Sequence, residues 1–258
     1  MTKKITRALS VLFLAASFVF AQDVEMNPEA AKLYNEGNQL VKSGQYESAI
    51  NKYEAAQKIE KHPNILYQKS VALKKLRKFD EAEDALKECV KIDPKFMPAY
   101  TGLGTTYYSL KNYEGAIENF EKFIELSNDE KQNAKIKQYV GLSYTQLGQN
   151  AKSDGKYDQA ITFLQSAVKN YNYDAAYLYL AEVYLELGNF DGALEAADKA
   201  INYRSSKSKI SKGAPYFYKG LAFKGKNEIE KAKENFKLAL DDSQYKANAQ
   251  HYLKELSQ

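Results

Sequence analysis

Large apolar residues along most of this chain recur three, four and seven positions apart, as expected for the buried stripe of a helix. One stretch, residues 177–194, begins YLYL, and this alternation taken alone would suit a half-buried strand. Its order of residue types returns in AYTGLGTTYYSLKNYEGAIENF, residues 99–120, and in LYNEGNQLVKSGQYESAINKY, residues 33–53. The stretch therefore belongs to a repeated helical unit rather than to a strand.

Two columns of small residues define the repeat. The first column holds Gly37, Ser70, Gly104, Gly141, Ala181 and Gly220. The second holds Ala49, Ala82, Ala116, Ala160, Ala193 and Ala232, which follow one another at 33, 34, 44, 33 and 39 positions. An aromatic residue opens the segment before each alanine in five copies, at Tyr46, Phe79, Tyr113, Tyr157 and Phe190. Small residues let two helices approach closely while a neighbouring aromatic fills the gap.

This pattern, with a period of about 34 residues, resembles the tetratricopeptide repeat. The resemblance covers six copies, near residues 30–62, 63–96, 97–130, 134–173, 174–207 and 213–246. It implies an all-α fold, a right-handed α-solenoid of antiparallel helix pairs whose concave face is lined mainly by the first helix of each pair. A solenoid needs a polar cap on its last apolar face, and residues 244–257 are predicted to form that capping helix.

Helix boundaries are indicated by Gly and Pro. Asn27 and Pro28 are typical of an N-cap and a first helical residue, and Gly44, Gly148 and Gly188 are predicted to lie in turns. The fourth copy carries seven extra residues in LGQNAKSDGKY, which predict a helix lengthened by about two turns that ends at Asp154 and Gly155.

The first 21 residues have the layout of a secretory signal peptide. Lys3, Lys4 and Arg7 precede an uncharged apolar run that ends at Ala21, where we expect cleavage. A retained membrane anchor is the alternative, although the run is short for a transmembrane helix. The remaining residues 22–258 are expected to form one solenoid domain that is exported, either periplasmic or secreted, with no integral membrane span.

Removal of the signal segment leaves 34 basic residues against 33 acidic ones, a net charge of +1 instead of +4. This balance argues against a nucleic-acid partner, which requires a clustered basic face. The basic link YRSSKSKISKG, with Arg204, Lys207, Lys209 and Lys212, is either a solvated loop or a contact to an anionic partner such as phospholipid headgroups. The second interpretation would allow peripheral association with the cell envelope.

Catalytic, cofactor and metal motifs are poorly supported. GLAFKGKN, residues 220–227, approaches a phosphate-binding loop but lacks the hydroxyl residue after the lysine and a preceding strand. The two histidines, His62 and His251, lie far apart, and Cys89 stands in a small column that predicts a buried thiol without a disulfide partner. We therefore expect no enzyme activity, cofactor or metal.

The concave face is the remaining candidate for function. The carboxylate clamp of some tetratricopeptide domains is not expected here, because among the corresponding residues Tyr34, Asn38, Gln68, Pro98 and Gly102 only Asn38 matches. A ladder of tyrosines and polar residues is predicted instead, consisting of Tyr34, Asn38, Tyr67, Lys74, Thr101, Thr105, Tyr108, Gln138, Tyr139, Tyr179 and Tyr218.

Tyrosine offers a large contact area with few rotatable bonds, which suits binding an extended segment of a protein or peptide partner. The sequence thus predicts a protein-interaction scaffold of a bacterial envelope. Three alternatives stay open: these rings fill the inside of the superhelix, they stack on a cell-wall glycan, or the chain is a subunit of an enzyme whose chemistry lies in a partner. Tyr179 of the ladder is expected to face the groove, whereas Tyr177, two residues earlier and outside the ladder, is expected to pack in the core.

Overall fold

The computed structural model describes residues 25–206 and 208–258, and this part of the chain forms thirteen α-helices without a strand. The predicted signal peptide, residues 1–21, lies outside the described residues. The helices are α1 Pro28–Lys42, α2 Tyr46–Ile59, α3 Pro63–Lys75, α4 Phe79–Ile92, α5 Met97–Ser109, α6 Tyr113–Leu126, α7 Glu130–Ser153, α8 Tyr157–Asn170, α9 Asp174–Glu186, α10 Phe190–Asn202, α11 Ala214–Gly225, α12 Ile229–Ala239 and α13 Lys246–Glu255.

Helices pack in consecutive pairs, α1 with α2 through α11 with α12, and the second helix of each pair also contacts the first helix of the next. The two small columns make this packing close. A Cβ atom on Gly37 would come within 2.5 Å of the Tyr53 ring, and one on Gly104 within 2.5 Å of the Phe120 ring. The alanines of the second column are at most 1% exposed. The predicted α-solenoid is confirmed.

The ends of the solenoid are closed as predicted. Oδ1 of Asn27 accepts the backbone N–H groups of Glu29 and Ala30, and Pro28 opens α1. At the other end α13 buries Ala249 against the last pair, and the Tyr252 ring stacks on Phe236 with centroids 5.1 Å apart. The capping helix is therefore present.

The irregular fourth repeat is partly as predicted. Helix α7 runs over 24 residues and stops at Ser153, and Gly155 has a φ of +72°, which confirms the lengthened helix and its turn. The placement of Gly148 in a turn is wrong. Gly148 lies inside α7, where an added Cβ would come within 2.5 Å of the Leu164 side chain. The extra residues moved the turn to Gly155 and left Gly148 as a packing glycine.

The turn inside each pair uses the left-handed backbone region at the residue five positions before the second-column alanine. Gly44, Gly155 and Gly188 occupy it in three copies, while Arg77, Lys111 and Asn227 adopt φ values of 60° to 63° in the others. Glycine is therefore a usable but incomplete signal for this turn.

Candidate partner-binding face

The first helices of the pairs form one surface of the solenoid, here called the inner face. They pack on one another in two runs. In the first run α1 contacts α3 and α3 contacts α5, and in the second run α7 contacts α9 and α9 contacts α11. We call the first run the N-terminal half of the inner face and the second run the C-terminal half. None of the described helices combines the length and apolar character that crossing a membrane requires.

All six tyrosines of the predicted ladder are half-buried, and each packs beside a core cluster. In the N-terminal half, the ring of Tyr34 lies 6.1 Å from that of Tyr53, and Tyr67 lies edge-on to Phe96 at 5.9 Å. Burial is the main cause that raises the pKa of Tyr67 and of Tyr108. These rings fill space as well as presenting an edge to solvent, so structural and binding roles are combined in the same residues.

Lys74 is the distinctive cation of the N-terminal half. Its side chain is half-buried, and its ammonium donates a hydrogen bond to Oγ1 of Thr105 on α5. No ion pair joins Lys74 to a carboxylate within residues 25–206 and 208–258. Burial lowers the pKa of the ammonium, because the charged form has lost water without gaining an opposite charge. The charge of Lys74 is therefore only partly satisfied.

The other predicted polar residues of this half are bonded within the protein. The Thr101 hydroxyl donates to carbonyls of its own helix. The Thr105 hydroxyl also donates to a carbonyl of its own helix, and its oxygen accepts the hydrogen bond from the Lys74 ammonium. Oδ1 of Asn38 accepts the Tyr53 hydroxyl at 2.7 Å. These contacts hold the side chains of Asn38, Thr101 and Thr105 in place.

The C-terminal half contains a continuous polar chain. Lys152 of α7 forms an ion pair with Glu182 of α9, and both side chains are less than a quarter exposed. Burial raises the pKa of Tyr218 of α11 far above its ordinary value, and the nearby Glu182 and Tyr245 raise it further. The charges of Lys152 and Glu182 are thus satisfied by one another, whereas Oδ2 of the buried Asp174 at the start of α9 has no hydrogen-bond partner among the described residues.

Tyr179 belongs to the same network. The Lys152 ammonium lies 5.1 Å from the centroid of its ring, a cation–π distance, and burial raises the pKa of the Tyr179 hydroxyl. Tyr139 of α7 stacks on Phe120 with centroids 5.4 Å apart. Gln138, the neighbouring predicted site residue, is exposed and forms no part of the network.

Sequence reasoning did not find four residues of this face: Lys152, Glu182, Tyr173 and Tyr245. Tyr173 lies near enough to Tyr108 and Tyr179 for them to contribute, after burial and Asp174, to its raised pKa. A signal existed for Glu182, because it directly follows Ala181 just as Asn38 and Thr105 follow the glycines of their column. Lys152 lies in the seven-residue insertion, where no column could assign it.

The basic link before α11, residues 203–213, has carboxylates beside it that its own sequence does not contain. Asp242 accepts hydrogen bonds from the Ser211 hydroxyl and, at 2.7 Å, from the Gly213 N–H, so the link is tied to the segment between α12 and α13. Asp241 lies in the same depression as Arg204, Lys209 and Lys212. Lys207 lies outside the described residues. An anionic surface would therefore meet carboxylates beside the lysines.

His62, Cys89 and Gly220 each make contacts that stabilise the fold. Nδ1 of His62 accepts the N–H of Asn64 and caps α3. Cys89 is buried, its thiol donates to the Pro63 carbonyl at 3.4 Å, and burial raises its pKa to about 12. Gly220 lies within α11 and packs against Phe236 of α12. Across the described ranges, no group of His, Cys, Asp and Glu is arranged to hold a metal ion.

Comparison with known proteins agrees with this architecture. Models of the tetratricopeptide repeat match residues 98–130 and 145–208, and the model "Anaphase-promoting complex, cyclosome, subunit 3" matches residues 9–89. The chain is a tetratricopeptide-repeat protein and belongs to that family.

Two curated relatives show the extent of the similarity. The chain is 32% identical over 129 residues to small glutamine-rich tetratricopeptide repeat-containing protein 2 of Mycosarcoma maydis, covering 49% of this chain and 35% of that protein. It is 26% identical over 243 residues to TPR repeat-containing protein MJ1428 of Methanocaldococcus jannaschii, covering 86% of this chain and 38% of that protein. The chain thus spans little more than a third of the length of these relatives.

Among solved structures, the chain is similar to that described as "Crystal structure of MamA protein", with 28% identity and a TM-score of 0.50. The match covers 72% of this chain and 94% of the MamA chain. Fold and relatives together support a protein-interaction scaffold as the class of molecule.

Proposed function

We propose that this protein is an exported, non-enzymatic scaffold of the bacterial cell envelope that binds an extended segment of a partner protein on its inner face. The observation that carries the proposal is Lys74, a half-buried cation of the inner face that contacts Thr105 and has no carboxylate partner among the described residues. We place the main binding contacts in the N-terminal half, around this residue. The proposal requires no cofactor.

Lys74 supports binding because its desolvation is not offset within the protein. A buried or half-buried charge costs free energy unless an opposite charge or several hydrogen bonds compensate it. A carboxylate or a row of backbone carbonyls from a bound segment would supply that compensation. The Thr105 hydroxyl that accepts the Lys74 ammonium is itself held by carbonyls of its own helix, so the ammonium is presented at a fixed place.

Tyr34 on α1 and Tyr67 on α3 supply apolar area in the same half of the inner face. Both rings are half-buried and anchored by a neighbouring aromatic, which lowers the entropy lost when a partner packs on them. A partly covered tyrosine with a fixed ring is a typical anchor of protein interfaces. These contacts favour a peptide that carries both apolar and acidic or carbonyl groups.

The glycan alternative has less support from the rings themselves. Stacking on a sugar uses the open face of an aromatic ring, but Tyr139 is stacked on Phe120 and the Lys152 ammonium lies over Tyr179. Tyr139 and Tyr179 therefore offer mainly edges and hydroxyl groups, which suit peptide contacts better.

Affinity capture from envelope extract with chain 22–258 tests the proposal. We expect a protein to be retained, and a peptide copied from its contacting segment to release it. Sedimentation of the chain with purified cell wall, without a released protein, would contradict the peptide-binding function and favour the glycan alternative. The mass of the chain recovered from cells tests export, since cleavage after Ala21 leaves Gln22 at the N-terminus.

A further inference from the structure

The surface opposite the inner face carries a groove between α6 and α8, here called the outer groove. Its cavity volume is about 670 Å³, and its apolar floor is formed by Tyr100, Ile117, Tyr144, Leu147 and Phe163. The rings of Tyr144 and Phe163 lie 6.3 Å apart and are tilted by 32°, which leaves an apolar slot beside them. Such a floor can accept an aliphatic or aromatic side chain.

A row of carboxylates borders this floor. Glu114, Glu118, Glu121 and Glu125 are spaced four, three and four residues apart on α6, so they lie along one side of that helix over about 16 Å. The one cation lining the groove, Lys122, pairs with Glu125 at 2.8 Å. The other three carboxylates are exposed and have no ion pair within the described part of the chain.

Two other grooves between outer helices are smaller and contain fewer unpaired carboxylates. The groove between α2 and α4 has a volume of about 250 Å³, and its lining residues Lys69, Glu81 and Glu88 form ion pairs with Glu54, Lys78 and Lys61, which leaves Asp84 as its one lining carboxylate without an ion pair among the described residues. The groove between α8 and α10, about 380 Å³, contains the pair Lys199 and Glu195. The outer groove therefore differs from these two grooves in having three unpaired carboxylates instead of one or none.

We propose that the outer groove binds a cationic amphipathic segment of another protein. An apolar side chain of that segment lies over Tyr144 and Phe163, and its Lys or Arg residues lie against Glu114, Glu118 and Glu121. Charge selects this occupant, because the same carboxylates repel nucleic acids and anionic lipid surfaces. Burial and the nearby Glu121 raise the pKa of Tyr144, so the Glu121 carboxylate lies close to the Tyr144 hydroxyl of the floor.

The proposal is tested with a fluorescein-labelled helical peptide of leucine and lysine, and with its counterpart in which glutamate replaces every lysine. Anisotropy with the full chain should show binding of the cationic peptide only. The double variant Glu118→Gln, Glu121→Gln should weaken binding by about tenfold, as expected for the loss of two exposed ion pairs. Phe163→Leu, which reduces the slot while keeping the charge, should also weaken it.

A charge-matched control separates the groove from general attraction. Glu47→Gln with Glu130→Gln removes the same two charges at exposed positions of α2 and α7 outside the groove. This control should bind the cationic peptide like the unaltered chain. Equal weakening by the control, or equal binding of the glutamate peptide, would overturn the proposal. Circular dichroism confirms that each variant is folded, and Lys74→Met should leave this binding unchanged.

Discussion

The two halves of the inner face are built from the same repeat, but their lysines contact different partners. In the N-terminal half, Lys74 contacts a threonine hydroxyl, whereas in the C-terminal half Lys152 pairs with Glu182, which also contacts Tyr218. Lys152 has its charge satisfied by a carboxylate of the protein, while Lys74 is a desolvated charge without one. Under the proposed function, an unpaired cation, rather than the number of aromatic rings, marks the binding half of the inner face.

The contrast also explains why tyrosines alone were ambiguous. Every ladder tyrosine is half-buried and touches the core, so each contributes to stability whatever else it does. A side chain that stabilises the fold and one that binds a partner differ in the fate of their polar atoms. Substitutions in the two halves should therefore separate the two contributions.

The largest effect is expected from Tyr177→Ala. Tyr177 is 7% exposed, stacks on Tyr203 and donates its hydroxyl to Asn172, so its loss should lower the free energy of unfolding by about 3 kcal/mol or more. Tyr179→Ala should cost about 1 kcal/mol, because it loses a cation–π contact and part of a core contact. Chemical denaturation of both variants checks this. Equal destabilisation would place Tyr179 in the core.

Glu182→Gln should have the next largest effect. It leaves the half-buried Lys152 without its carboxylate, and we expect a loss of about 2 kcal/mol in the free energy of unfolding. Adding Lys152→Met to Glu182→Gln should recover part of this loss, since the unpaired charge is then gone. If the double variant is less stable than Glu182→Gln by the full amount that Lys152→Met costs on its own, Lys152 and Glu182 are not a coupled pair.

A smaller difference is expected between two hydroxyl deletions. Tyr218→Phe removes a half-buried hydroxyl that lies near Glu182 and Tyr245, and it should cost about 1 kcal/mol. Tyr67→Phe in the N-terminal half should change stability very little, because no hydrogen bond to a described residue is lost. Thermal unfolding of the two variants compares them directly. A larger loss for Tyr67→Phe would mean that the N-terminal half is the self-satisfied one.

The fold followed from the sequence because packing requires small residues at fixed intervals. The columns of Gly104 and Ala116 correspond to places where a side chain would collide with a neighbouring helix. Gly148 was misplaced because glycine occurs both in turns and in close packing, and only the length of α7 decides between them. The left-handed residues Arg77 and Lys111 gave no signal, since the turn tolerates side chains there.

The site was less accessible to sequence reasoning. Residues expected on the inner face could be assigned from their place in the repeat, but their partners could not, because pairing depends on distances between helices. Lys152 and Glu182 lie 30 positions apart in the chain, and the lysine belongs to an insertion. The carboxylates beside the basic link were missed for the same reason, since Asp242 lies 31 positions after Ser211.

The most direct test of the open N-terminal half is Lys74→Met, compared with Lys58→Met at an exposed position of α2. Both variants lose one positive charge, but only Lys74 is half-buried on the inner face. The affinity of the captured partner, measured by titration, should fall for Lys74→Met and stay unchanged for Lys58→Met. In the same samples, Lys74→Met should keep or raise the free energy of unfolding, by up to about 1 kcal/mol. Unchanged affinity in Lys74→Met would contradict the account.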